Sequence, residues 1–148
     1  MRMAFIKPRN MWTDEDPFAA SKPNGNDEEF RLLQWPIKLW KISVTAPFFH
    51  GAHLLIAADC AGFACDKLHE KIREGRIPLI CCPETDFDIT TKLAKIIEIN
   101  EIRSVTVVRM DSRCCDDLVG RVQEAIKISR KPLPLQTTTI FIDAEEID

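Results

Sequence analysis

The sequence predicts an α/β fold: a doubly wound, mostly parallel sheet of about 4–5 strands with helices on both faces. Three observations predict it. Short, unbroken apolar runs recur along the chain, as in Leu54-Leu55-Ile56-Ala57-Ala58, Ile77-Pro78-Leu79-Ile80 and Val105-Thr106-Val107-Val108, which suits strands covered on both faces. Stretches with apolar residues three and four apart lie between those runs, and that is the period of a half-buried helix. Each run leads into such a stretch after only a short connection, so the order strand–helix is read three times, with right-handed crossovers as the default.

In chain order, residues 1 to 34 have no sustained period. Pro8, Pro17 and Pro23 and the polar stretch Asn24-Gly25-Asn26-Asp27-Glu28-Glu29 interrupt every pattern, so this part is expected to be a poorly ordered tail ahead of an α/β domain spanning 35–148. Ile37, Leu39, Ile42 and Val44, between Pro36 and Pro47, suggest an edge strand, where proline is tolerated. Leu54 to Ala58 is a buried strand. Lys67 to Glu74 is a short helix with Leu68 and Ile72 on one face, stopped by Gly75. Ile77 to Cys81 is the next strand. Asp88 is placed to cap a helix from Ile89 to Asn100, whose Ile89, Leu93, Ile96 and Ile97 form one stripe. Val105 to Val108 is the third strand. Asp116 and Asp117 open a helix through about Arg130, with Leu118, Val122 and Ile126 four apart. Pro132 and Pro134 end it, and the β-branched stretch Thr137 to Ile142 closes the chain as a strand.

Composition narrows the function. Lys and Arg total 20 against 23 Asp and Glu, a formal net charge of −3, with no basic block, so nucleic acid is not an expected partner. The apolar runs are far shorter than the roughly 20 residues that cross a bilayer, and no apolar segment follows Arg2 and Lys7 as a secretory leader requires. A cytoplasmic location is the expectation, with no membrane partner. No Gly-x-Gly-x-x-Gly, phosphate-cradling loop, Gly-x-Ser-x-Gly or His-Glu-x-x-His occurs. No catalytic constellation is found, and the sequence gives no oligomeric state.

Six cysteines stand out. Cys60 follows the first apolar run, Cys81 and Cys82 follow the second, and Cys114 and Cys115 follow the third after a short turn. In a parallel sheet, the loops after the strands open on one edge, where ligands usually bind. In a reducing cytosol, cysteines serve as ligands, nucleophiles or small buried fillers more often than as disulfides. Two readings fit. Four thiolates at one point suit tetrahedral zinc or an iron–sulfur cluster, whereas cysteines at strand ends also suit plain core packing. Local spacing does not separate them, because there is neither a zinc-ribbon C-x2-C pair nor a ferredoxin-type run.

A wider pattern adds to this. Gln34-Trp35-Pro36, the stretch Ala46-Pro47-Phe48-Phe49-His50-Gly51-Ala52-His53 running into Leu54 through Cys60, Leu68-His69-Glu70, Cys82-Pro83, Ser104 through Met110 and Cys114-Cys115 together resemble the C-terminal domain of ferredoxin-like iron–sulfur proteins of anaerobic bacteria and archaea. The likeness covers about 35 to 145. In that family this domain follows one with 4Fe-4S motifs, and no such motif precedes Gln34 here. The resemblance places the family's recurring cysteines on Cys60, Cys82, Cys114 and Cys115, while Cys65 and Cys81 fall where the family has an aromatic and a glycine. It implies an iron–sulfur cluster of unspecified type, or zinc as the alternative, and exchange of electrons with a redox partner protein. Asp116-Asp117 stand where the family has Gly-Gly and add negative charge beside a thiolate site, which Arg109 and Arg113 would offset. The rival expectations are a metal-free α/β interaction module and thiol redox chemistry at Cys114-Cys115.

Overall fold

In the computed structural model, the described residues are 34–65 and 67–141. Chain contacts divide the protein into two units, Met1–Leu32 and Leu33–Asp148, and the described residues belong to the second. The expectation of a poorly ordered tail lies outside the described residues.

Four strands make one all-parallel sheet: β1 (His53–Ala58), β2 (Ile77–Cys81), β3 (Ser104–Met110) and β4 (Leu135–Ile140), in the order β2-β1-β3-β4. Helices α1 (Ala61–Ala64) and α2 (Lys67–Arg73) connect β1 to β2, α3 (Ile89–Ile99) connects β2 to β3, and α4 (Asp116–Ser129) connects β3 to β4. The first connection runs outward from β1 in one direction, and the later two run in the other. Right-handed crossovers then put α1 and α2 on one face and the mutually packed α3 and α4 on the other. This is the doubly wound arrangement that the alternating pattern predicts.

Burial follows position in the sheet. The central strand β1 is buried from Leu54 to Ala58, so its sequence is continuously apolar. The edge strand β4 is exposed at Gln136 and Thr137 and buried at Thr138 and Ile140. α3 presents Ile89, Leu93, Ala94, Ile96 and Ile97 to the core, and α4 presents Leu118, Val122 and Ala125. Each fully buried Leu or Ile contributes roughly 1.5–3 kcal/mol relative to an exposed one, and Leu54, Leu55, Ile56, Leu79, Leu93 and Ile97 are all in that state. Gly75 leaves α2 at φ +88, a backbone conformation that side-chain-bearing residues rarely adopt, and this ends the helix.

Three expectations need correction. Ile37 to Val44 is not a strand. Only Lys38 bridges to Ile80 of β2, and the chain then turns along α3, where Lys92 donates to the Trp40 carbonyl and Asn100 to the Val44 carbonyl. Asp88 occupies the N-cap of α3, but its side chain makes no capping hydrogen bond. The short helix α1 lies where no helix was expected, because four residues are too few to show a period. Among the described residues, no helix is long and apolar enough to cross a membrane.

Candidate functional site

Because every strand runs the same way, the loops after β1, β2 and β3 emerge on one edge of the sheet. β1 connects outward to β2 and β3 outward to β4, so the topological switch point, where open α/β sheets bind ligands, falls between the ends of β1 and β3. The residues that leave those two strands are Asp59-Cys60 and Asp111 to Cys115. Cys82 leaves β2, one strand away.

The six cysteines are free thiols in distinct surroundings. Cys60 is exposed at the start of α1. Cys82 is half-buried, and its backbone N–H donates to Asp86 Oδ2 at 2.7 Å. Cys114 is half-buried with its Sγ 3.1 Å from Ser112 Oγ, and Cys115 is buried behind it. Burial raises the Cys115 thiol above its usual range, against the pull of hydrogen bonds from the Met110 backbone and the Ser112 hydroxyl. Cys65 and Cys81 lie in the core. Burial, then the charges of Asp86 and Asp59, push Cys81 up to about 12, so this thiol stays protonated and is unsuited to ligation or attack.

The structure therefore sets Cys114 and Cys115 side by side and puts Cys60 and Cys82 on neighbouring loops of the same edge. It does not gather the four. Among the described residues, no three His, Cys, Asp or Glu side chains lie close enough together to hold one ion. By chemistry the donors fit a thiophilic metal; by arrangement they form no ready-made tetrahedral cage. The two aspartates that were expected to oppose a thiolate site are both neutralised by arginine. Arg109 Nη2 donates to Asp116 Oδ1 at 2.7 Å, and Arg121 Nε donates to Asp117 Oδ2 at 2.6 Å. The offset was expected from Arg109 and Arg113; Arg109 supplies it at Asp116, whereas Asp117 is paired with Arg121, an i,i+4 pair on α4. Both carboxylates also favour the N-terminal turn of that helix.

Sequence reasoning missed a charged clasp on this edge. Lys38 Nζ donates to Asp59 Oδ2 at 2.6 Å and to Asp86 Oδ2 at 3.2 Å, tying the segment before β1 to the loops after β1 and β2. Burial lowers the Lys38 ammonium's affinity for its proton, but the two carboxylates outweigh that and leave its pKa raised. The second oxygen, Asp59 Oδ1, is buried with no hydrogen-bond partner among the described residues. An aspartate at a strand end and another in a Pro-Glu-Thr-Asp turn were visible signals; their lysine, 21 and 48 residues away in sequence, was not. Beside the clasp opens a cavity of about 530 Å³ lined by Leu39, Trp40, Asp86, Phe87, Ile89 and Lys92 among others. Its size is within the range of small-molecule sites.

The first β-to-α turn reads Asp59-Cys60-Ala61-Gly62. A dinucleotide-binding fold puts a glycine-rich phosphate cradle there, whereas here the turn carries a carboxylate and a thiol.

Comparison with known proteins agrees with the architecture. An uncharacterized protein of Archaeoglobus fulgidus is 27% identical over 94 residues, which cover 64% of this chain and 67% of that protein. No solved structure matches the chain. Residues 46–148 match the Rossmann-like domain. That span takes in all four strands and the whole thiol-bearing edge, and the chain belongs to the Rossmann-like domain family.

Proposed function

We propose that the carboxyl edge of the sheet is a metal–thiolate site, with Cys60, Cys82, Cys114 and Cys115 as its ligands and an electron-transfer accessory role in an anaerobic, cytoplasmic setting. The observation that carries this reading is the topology: two of the three thiol-bearing loops flank the switch point between β1 and β3, where this fold class places its ligands. The sorting of the thiols supports it. Cys60, Cys82 and Cys114 are solvent-accessible, whereas Cys65, Cys81 and Cys115 are buried in the core, so the sorting favours three of the four ligands and leaves Cys115 as the inner neighbour of Cys114. Six free thiols suit a reducing compartment. When bound, an iron–sulfur cluster supplies one-electron exchange with a redox partner protein, and zinc in its place supplies stability alone. The four donors are not gathered in advance, so metal uptake and ordering of the three loops would be coupled.

The test is to purify the chain without oxygen, record its visible spectrum and measure iron, sulfide and zinc. Iron with sulfide supports the cluster, and zinc alone supports the structural variant. Protein that stays metal-free and cooperatively folded after attempted reconstitution overturns the reading.

One observation favours a second reading, a metal-free interaction or binding module: the cavity beside the Lys38–Asp59–Asp86 clasp, with Trp40 and Phe87 exposed on its lining. Fluorescence of Trp40 in that lining would report an occupant, and Phe87→Ala would weaken its binding.

A further inference from the structure

The chain has two pairs of adjacent cysteines, and the backbone treats them in opposite ways. Cys81 is the last residue of β2 and is fully buried, while Cys82 has left the strand and is half-buried with its N–H on Asp86. Neighbours in an extended chain point to opposite faces, so this pair diverges. Cys114 and Cys115 instead sit in the 3-10 turn Arg113–Cys115, and Cys115 is itself in the right-handed helical region at φ −95, ψ −8. Successive side chains of such a turn are only about 120° apart. Cys114 Sγ is 3.1 Å from Ser112 Oγ, and Ser112 and Cys114 are both near enough to the Cys115 thiol to act on its proton.

We propose that the Cys114–Cys115 turn is a bidentate dithiol site for a thiophilic, three-coordinate centre of the trivalent arsenic type. The approach is graded: Cys114 is half open to solvent and Cys115 lies buried behind it, so an incoming centre meets the outer sulfur first and is closed over by the inner one. The surrounding charge does not select a cation. Asp116 and Asp117, the carboxylates that follow in sequence, are already paired with Arg109 and Arg121, which suits a neutral species such as a trivalent hydroxide. With the dihydroxide of phenylarsine oxide the step balances as two condensations. Each S–H bond breaks as an As–S bond forms, each arsenic-bound hydroxyl leaves with the thiol proton as water, and arsenic stays trivalent with no electron transferred. The inference rests on the turn and not on the four-thiol reading, with which it shares two residues.

The experiment uses the full chain, reduced, stripped of metal by a chelator and kept without oxygen. Phenylarsine oxide is titrated in, the chain is then unfolded in denaturant so that the buried thiols are also exposed, the remaining thiols are alkylated, and the peptides are mapped by mass spectrometry. One equivalent is expected to lower the free-thiol count from six to four, leaving Cys114 and Cys115 alone unalkylated. Cys114→Ser, at the half-open position, is expected to weaken binding by at least about 100-fold through loss of the second tether, while Cys60→Ala, Cys81→Ala and Cys82→Ala keep the wild-type stoichiometry. The inference is overturned if the mapped wild type protects Cys60 or Cys82 in place of either member of the pair. It also fails if Cys60→Ala or Cys82→Ala loses the arsenical, or if the folded wild type takes up none. Because the mapping is read on unsubstituted protein, a variant that fails to fold does not block the test.

Discussion

Raising the pH should erase, and then reverse, the stability advantage of the natural chain over Cys81→Ala. At neutral pH the substitution removes one sulfur from a fully buried position and leaves a small void, a cost of about 1 kcal/mol. The titration works in the opposite direction. In the unfolded chain the thiol loses its proton near its ordinary value of 9.0, whereas in the fold burial and the nearby carboxylates hold it to about 12. Above pH 9 the unfolded state therefore binds fewer protons than the folded one, so stability falls with rising pH through that window and is fully present below it. The shift from 9.0 to about 12 amounts to on the order of 4 kcal/mol when complete, at about 1.4 kcal/mol per unit. At about pH 10.5, half-way across, the loss is roughly 2 kcal/mol. Alanine has no proton to lose, so the two stabilities should cross near pH 10. Urea unfolding followed by circular dichroism, run on both proteins from about pH 8 to 10.5, isolates this one residue, since every other titrating group is common to both. A gap that stays constant across that range would refute the reasoning, because Cys81 would then not be held protonated by the fold.

Three further outcomes follow from the same geometry. Metal content should be unchanged in Cys65→Ala and Cys81→Ala and should collapse in Cys60→Ser, Cys82→Ser, Cys114→Ser and Cys115→Ser, as read by elemental analysis of anaerobic preparations; loss in Cys81→Ala with retention in Cys82→Ala would reverse the assignment of that loop. Lys38→Met leaves Asp59 and Asp86 without their shared cation, and because the lysine side chain is 27% exposed, the few kcal/mol of a fully buried pair shrink to about 1–2 kcal/mol, measurable by thermal unfolding. Gly75→Ala, at φ +88, should cost about 1–2 kcal/mol, whereas Gly62→Ala in α1, with nothing within 4 Å of the added carbon, should be neutral or slightly stabilising; equal effects at both positions would show that neither backbone conformation is as described.

How far the sequence could be read depended on whether the signal was local. Ile77–Cys81 was read with its true bounds because Gly75 and Pro83 punctuate an apolar run that has no competing period. α3 and α4 were found within a residue or so because their stripes are long. The stretch from Ile37 to Val44 was misread because its apolar alternation imitates a strand, while the chain turns along α3; the turn hydrogen bonds from the Lys41 and Ile42 N–H groups to the Lys38 carbonyl, and those from Lys92 and Asn100, distinguish the two. At the site, the core placement of Cys65 and Cys81 was legible, whereas that of Cys115, expected among the ligands, was not. The Lys38 clasp and the cavity were not, since they join residues that only the tertiary fold brings together.

The short pairing of Lys38 with Ile80 has a consequence for how this domain meets others. A parallel sheet ends in two rows of unused backbone donors and acceptors, and each row invites a foreign strand. On the β2 side, that row is partly filled by the chain itself: the Ile80 N–H donates to the Ile37 carbonyl, and the Leu39 N–H donates to the Ile80 carbonyl. Lys38 adds a charged lock through Asp59 and Asp86. Growth of the sheet past β2 would have to break a salt-linked seal as well as displace a short strand mimic. Salt screens such a lock, which makes this flank the conditional end of the sheet.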